Sequence, residues 1–134
     1  MKRITLFLIL LASIISYAQT PVYVNIVFAS TSATSDSFYV PTGYCLSGIL
    51  MPASFTDTLT FQASINGGIA TTWFSIVKND GTAYIQTCLT SANAVPLDPK
   101  IFYPWRCLRA VTTTTDKATV TIKGVCVPYL TNTK

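Results

Sequence analysis

Residues Tyr44–Gly68 read YCLSGILMPASFTDTLTFQASINGG, and this stretch decides the fold. An almost unbroken apolar run, Cys45 to Met51, stops at Pro52. A short polar connection, Ala53 to Asp57, leads into Thr58–Ile65, which alternates throughout. Leu59, Phe61, Ala63 and Ile65 fall on one side, and Thr58, Thr60, Gln62 and Ser64 on the other. A period of two is the mark of a strand with one buried face. Asn66-Gly67-Gly68 follows, residues that accept positive φ in a tight turn.

Working outward, the same grammar repeats. Pro21–Ala29 reads as a first strand, Ser30–Asp36 as a polar loop and Ser37–Val40 as a short strand closed by Pro41-Thr42-Gly43. Thr71–Lys78 is expected to partner Thr58–Ile65. Asn79-Asp80-Gly81 signals a second hairpin into Thr82–Leu89. Thr90–Pro99 reads as a loop. Ile101–Val111 reads as a long strand, with Pro104 near its start or at an edge. A turn over Thr112–Lys117 leads to Ala118–Val127, whose buried side reads as Val120 and Ile122, then Val125 and Val127. That change of phase predicts a β-bulge at Gly124. The expectation is an all-β chain: an antiparallel, jelly-roll-like β-sandwich of seven to eight strands.

The 134 residues suffice for one domain. Residues 1–18 read as a secretory signal peptide: Met1-Lys2-Arg3, an apolar run Ile4–Ile15, and Ser16-Tyr17-Ala18 as a small-x-small cleavage site. The competing reading is a membrane anchor, which needs roughly 20 apolar residues, more than this run holds. Residues 19–134 then form a single exported domain. Beyond Lys2 and Arg3 the chain carries seven basic residues against five Asp, scattered, so no basic stripe suggests nucleic acid.

Cys45, Cys88, Cys107 and Cys126 form an even set in an exported chain, which points to two disulfides in one of three pairings, the alternative being four buried thiols in a reducing compartment. A hairpin of 101–111 with 118–127 would place Cys107 opposite Cys126 and leave Cys45 with Cys88. Without CxxC spacing or any His, a zinc site is excluded and no cofactor is expected.

The chain has no His and no Glu. Acid–base chemistry would fall to Asp36, Asp57, Asp80, Asp98 or Asp116, and Asp57, Asp80 and Asp116 sit at predicted turns, where Asp accepts backbone hydrogen bonds. No nucleophile elbow or phosphate loop is present, and the reading is non-enzymatic. Aromatics are the better candidates. Trp73, Tyr103 and Trp105, with Arg106 and Arg109, make a candidate binding surface, because aromatic rings offer flat apolar faces with polar edges. Such a surface suits either a secreted module for cell-surface glycan or anchorage of a neighbouring subunit.

Several segments taken in order resemble small structural proteins of tailed bacteriophage virions. They are Gly48-Ile49-Leu50-Met51-Pro52-Ala53, then Leu59–Ser64 (LTFQAS) with its Gly turn, then Asp80-Gly81, Leu97-Asp98-Pro99-Lys100-Ile101-Phe102, and Arg106-Cys107-Leu108-Arg109. The closing alternating strand, Ala118–Ile122, is also similar, and the resemblance spans roughly 37–127. Cys107 stands where that family shows an aromatic. The resemblance implies a β-sandwich that assembles on a particle, beside other virion or surface proteins or further copies of itself, with no catalytic residues to carry over. With the signal segment, it implies a virion or exported surface location.

Overall fold

A computed structural model describes residues 20–53, 55, 57–65, 73–87, 94–114 and 118–129. Its strands, in chain order, are β1 (Val22–Phe28), β2 (Phe38–Tyr39), β3 (Tyr44–Leu50), β4 (Thr58–Ser64), β5 (Phe74–Ser75), β6 (Ile85–Thr87), β7 (Ala94–Pro96), β8 (Cys107–Thr112) and β9 (Val120–Pro128). One helical turn, α1 (Pro99–Phe102), precedes β8. The strands form two antiparallel sheets. The four-stranded sheet runs β1-β9-β3-β7; in the five-stranded sheet β2, β8 and β4 are neighbours in turn, and β4 also pairs with both β5 and β6. The chain changes sheet at each step from β1 to β4, and again at β7, β8 and β9.

The expected all-β sandwich is therefore the fold. Ile26, Phe28, Leu46, Ile49 and Ile122 from one sheet meet Leu59, Phe61, Ala63, Leu108 and Ala110 from the other in one buried cluster. The alternation of β4 is realised through Ala63, with Thr60 and Gln62 on the opposite face. Aromatic rings fill one part of the core: Phe61, Tyr84 and Phe102 pack mutually, with two of the three contacts edge-to-face at 5.1 and 5.2 Å. Such geometry sets the positive ring edge against the negative face. The second hairpin closes at Asn79-Asp80-Gly81: Gly81 sits at φ +81°, Lys78 N–H donates to Thr82 O at 2.8 Å, and Val77 bridges Ala83.

Five local expectations are corrected. Ile65, expected inside, is 70% exposed, because β4 ends at Ser64, and it is Ser64 that is buried. Segment 101–111 is not one strand. Asp98 caps a helical turn, its carboxylate accepting from Lys100 N–H at 2.9 Å, with Pro99 as the first helical residue. An Asp cap followed by Pro starts a helix better than a strand. The Thr90–Pro99 loop holds β7, a three-residue edge strand on β3 that tolerates Pro96 at its end. With the two-residue strands included, nine strands are found among the described residues, against the seven to eight expected.

Finally, no bulge occurs at Gly124. Val120, Ile122, Gly124 and Cys126 all face inward without a break. The irregularity lies instead in β3, between Leu46 and Gly48. Gly124 serves close packing: a Cβ there would meet Val24 Cγ2 at 2.7 Å and Leu46 Cδ1 at 3.0 Å. The predicted signal segment 1–18, the Asn66-Gly67-Gly68 turn, Cys88 and the Asp116-Lys117 turn lie outside the described residues.

Candidate functional site

The five candidate surface residues fall into two groups. The first lies on the outer face of the five-stranded sheet, whose register sets side chains in rows. Tyr39, Cys107 and Ser64 form one row across β2, β8 and β4; Arg109, Gln62 and Ser75 the next; Val111, Thr60 and Ile85 a third. Arg109 Nε donates to Gln62 Oε1 at 2.7 Å, and the guanidinium lies over the Trp73 ring, 4.4 Å from its centroid. Guanidinium stacking on indole keeps the charge while shielding its flat face from water. Partial burial also lowers the pKa of Arg109 from its ordinary value.

Exposed apolar side chains share this face with Arg109, Gln62, Thr60 and Ser75. Tyr39 is 54%, Val77 48% and Ile85 53% exposed; Phe74, also exposed, pairs with Ala63 and so falls on the other side of the sheet. In the first row Cys107 is buried, and its hydrogen bond with Tyr39 raises the phenol pKa above the usual value. The Ser64 hydroxyl is buried beside it, with no hydrogen-bond partner among the described residues.

The second group sits at the end of the sandwich where β3 starts and β9 finishes. Arg106 Nη1 donates to the carbonyls of Tyr44 at 2.7 Å and Pro41 at 3.1 Å. Its charge is thereby spent on pinning the turn between β2 and β3. Tyr103 stacks on Tyr129 with ring centroids 3.6 Å apart. Trp105 is partly buried against the core. The two tryptophans are thus held in different groups, one against Arg109 and one against the core.

Among the described residues no cysteine bridge is formed. Cys45, Cys107 and Cys126 are free, buried thiols. The 101–111/118–127 hairpin behind the Cys107–Cys126 pairing does not exist, because β8 and β9 belong to different sheets. Without the Gly124 bulge, Cys126 faces the core, whereas Cys107 lies on the outer side of its sheet. Burial and the neighbouring Cys45 push the Cys126 thiol up to about 11. Burial also raises Cys45, with Arg106 opposing the shift.

The described carboxylates in and near turns are absorbed locally, as the sequence suggested for Asp57 and Asp80. Asp80 accepts from Thr82 N–H and hydroxyl, which hold its pKa below the usual range. Asp98 caps α1. Asp57, 9% exposed, accepts from Thr58 N–H at 2.7 Å, from Thr114 N–H at 3.1 Å and Thr114 hydroxyl at 2.8 Å, and from the Thr113 hydroxyl. It ties the β3–β4 connection to the one following β8. Among the described residues no group of three or more His, Cys, Asp or Glu is placed to hold a metal ion. Nor is any helix among them long and apolar enough to cross a membrane.

Sequence reasoning found Trp73 and Arg109 but missed their neighbours Gln62, Tyr39, Ser64 and Cys107. The alternation of β4 had put Gln62 and Ser64 on its polar side; no local signal showed which residues of β2 and β8 would join them. No protein-family model matches the chain, and no curated protein or solved structure matches it either.

Proposed function

We propose that the protein is a non-enzymatic structural or assembly component of a phage-like virion or of an exported surface particle. The observation that carries this reading is the outer face of the five-stranded sheet. Tyr39, Val77 and Ile85 are exposed there, and the Arg109 guanidinium is already engaged by Trp73 and Gln62. Exposed large apolar side chains on one sheet face suit a site of protein contact, and packing against neighbouring particle subunits would remove them from water. The ordered resemblance to virion proteins and the leader-like N-terminus support the same reading and an exported or virion location. A glycan-binding role would draw on paired rings such as Trp73 and Trp105, which are engaged in separate groups, so assembly is the reading the geometry favours.

The test is co-sedimentation. Particle fractions from producing cells are separated on a density gradient and the protein is located by peptide mass spectrometry. It is expected to travel with the particles, and an Ile85→Asp variant with an unchanged circular dichroism spectrum is expected to drop out of that fraction. Recovery only as free protein at the top of the gradient would overturn the reading.

A further inference from the structure

The outer edge of β1 carries open backbone groups. Among the described residues β1 is a terminal strand of its sheet, paired only with β9, and Val22 to Phe28 contains no charged residue. Val27 directs its carbonyl away from β9, where Asp36 N–H donates to it at 2.8 Å. Backbone groups of alternate residues in an antiparallel strand point the same way. Tyr23 and Asn25 therefore also present N–H and C=O outward, and among the described residues no hydrogen bond engages them. Soluble proteins usually protect such an edge with charge, proline within the strand or a covering segment. Here the segment after β1 covers only Val27, at one end. Pro21, at the other end, lacks an N–H.

The geometry points to a second copy of this chain as the occupant of this edge, its β1 paired antiparallel to the first about a two-fold axis at Val24. In that register Tyr23 of each copy faces Asn25 of the other, so open residues meet open residues and exchange both hydrogen bonds. The next pair outward is Pro21 against Val27. Pro21 has no N–H to give, and the carbonyl of Val27 is already taken by Asp36. The groups that remain, Val27 N–H and Pro21 C=O, suit one another. The blocked ends of the edge are thus complementary to each other in this register alone, which singles out an identical strand over an arbitrary one. Isologous pairing of this kind closes on itself and stops at two copies.

Side chains agree with the pairing. Val22 and Val24 point to the core side and are only partly covered, so a Val24–Val24 contact would extend the apolar layer across the axis. Tyr23, 57% exposed, and Asn25 meet on the outer side as a cross-strand pair. The result is one continuous sheet through two sandwiches. The pairing is a property of the purified chain and stands apart from the particle reading.

Sedimentation velocity on the purified protein tests it. Twice the monomer mass is expected as concentration rises to about 100 µM, where even a weak edge pairing is populated. Asn25→Pro removes only an outward N–H, so the ladder to β9 survives while the mass returns to that of the monomer. Val24→Lys, which sets two cations face to face at the axis, is expected to do the same and decides the matter should the proline variant not fold. A wild-type protein that stays monomeric, or folded variants that still double in mass, would overturn the β1 pairing. Neither result bears on gradient co-sedimentation, which needs only the outer face of the other sheet.

Discussion

At the scale of single residues, Asp57 shows how one carboxylate can organise two connections. Its oxygens gather backbone and hydroxyl donors from Thr58, Thr113 and Thr114. Removing the acceptor leaves several donors of a nearly buried site without partners, which costs more than the net value of the bonds. Asp57→Ala is expected to lower stability by about 2–3 kcal/mol, from the value of hydrogen bonds to charged groups, read as a shift in urea midpoint. Asp57→Asn, which keeps an acceptor, should recover part of it; equal midpoints for wild type and Asp57→Ala would show that the tie is not stabilising. The sequence placed Asp57 at a turn but could not name Thr113 and Thr114, more than fifty residues away, as its partners.

At the scale of elements, α1 is a single turn that its own hydrogen bonds cannot sustain. It persists because Asp98 caps it and because Phe102 is driven between Phe61 and Tyr84. Tyr84 hydroxyl further accepts from Asp98 N–H at 3.3 Å, linking the ring cluster to the cap. Phe102→Ala should cost about 3–5 kcal/mol, as large-to-small changes of a buried aromatic do. Loss of near-ultraviolet aromatic circular dichroism ahead of global unfolding would accompany it. A change under about 1 kcal/mol, the scale of a tolerated core swap, would mean that Phe102 does not anchor the element. The cap was visible in Leu97-Asp98-Pro99-Lys100; the strand expectation prevailed because the apolar run around it suits either element, and only Phe102's burial among rings from β4 and the β5–β6 hairpin decides for the turn.

For the whole molecule, the alternation of strands between sheets governs the thiols. It separates β8 from β9 and turns Cys126 into the core. This has a pH consequence. Below the ordinary thiol value of 9.0 the group is neutral in both the folded and the unfolded chain, and its contribution to stability is complete. Above it the unfolded chain gains by ionising, whereas the buried thiol resists until about 11. Stability is therefore expected to fall as pH rises through that window. Denaturant midpoints measured across it should decline more steeply for the wild type than for Cys126→Val, a comparison that cancels the Tyr and Lys titrations common to both. Parallel declines would remove Cys126 as the cause.

What the sequence determined by itself was the all-β class and its clearest local elements. Alternation in Thr58–Ser64 and the Asn79-Asp80-Gly81 turn are written in contiguous residues, where side-chain period and backbone φ preference act without distant help. These signals carried that class. Only the tertiary structure decided which strands are neighbours. It set β9 between β1 and β3, brought Arg109 and Trp73 to Gln62, and left β1 with an open edge. Such pairings join residues far apart in the chain, and their selection rests on how two whole sheets bury their apolar faces together. A local pattern marks that a residue is buried. It does not say against what.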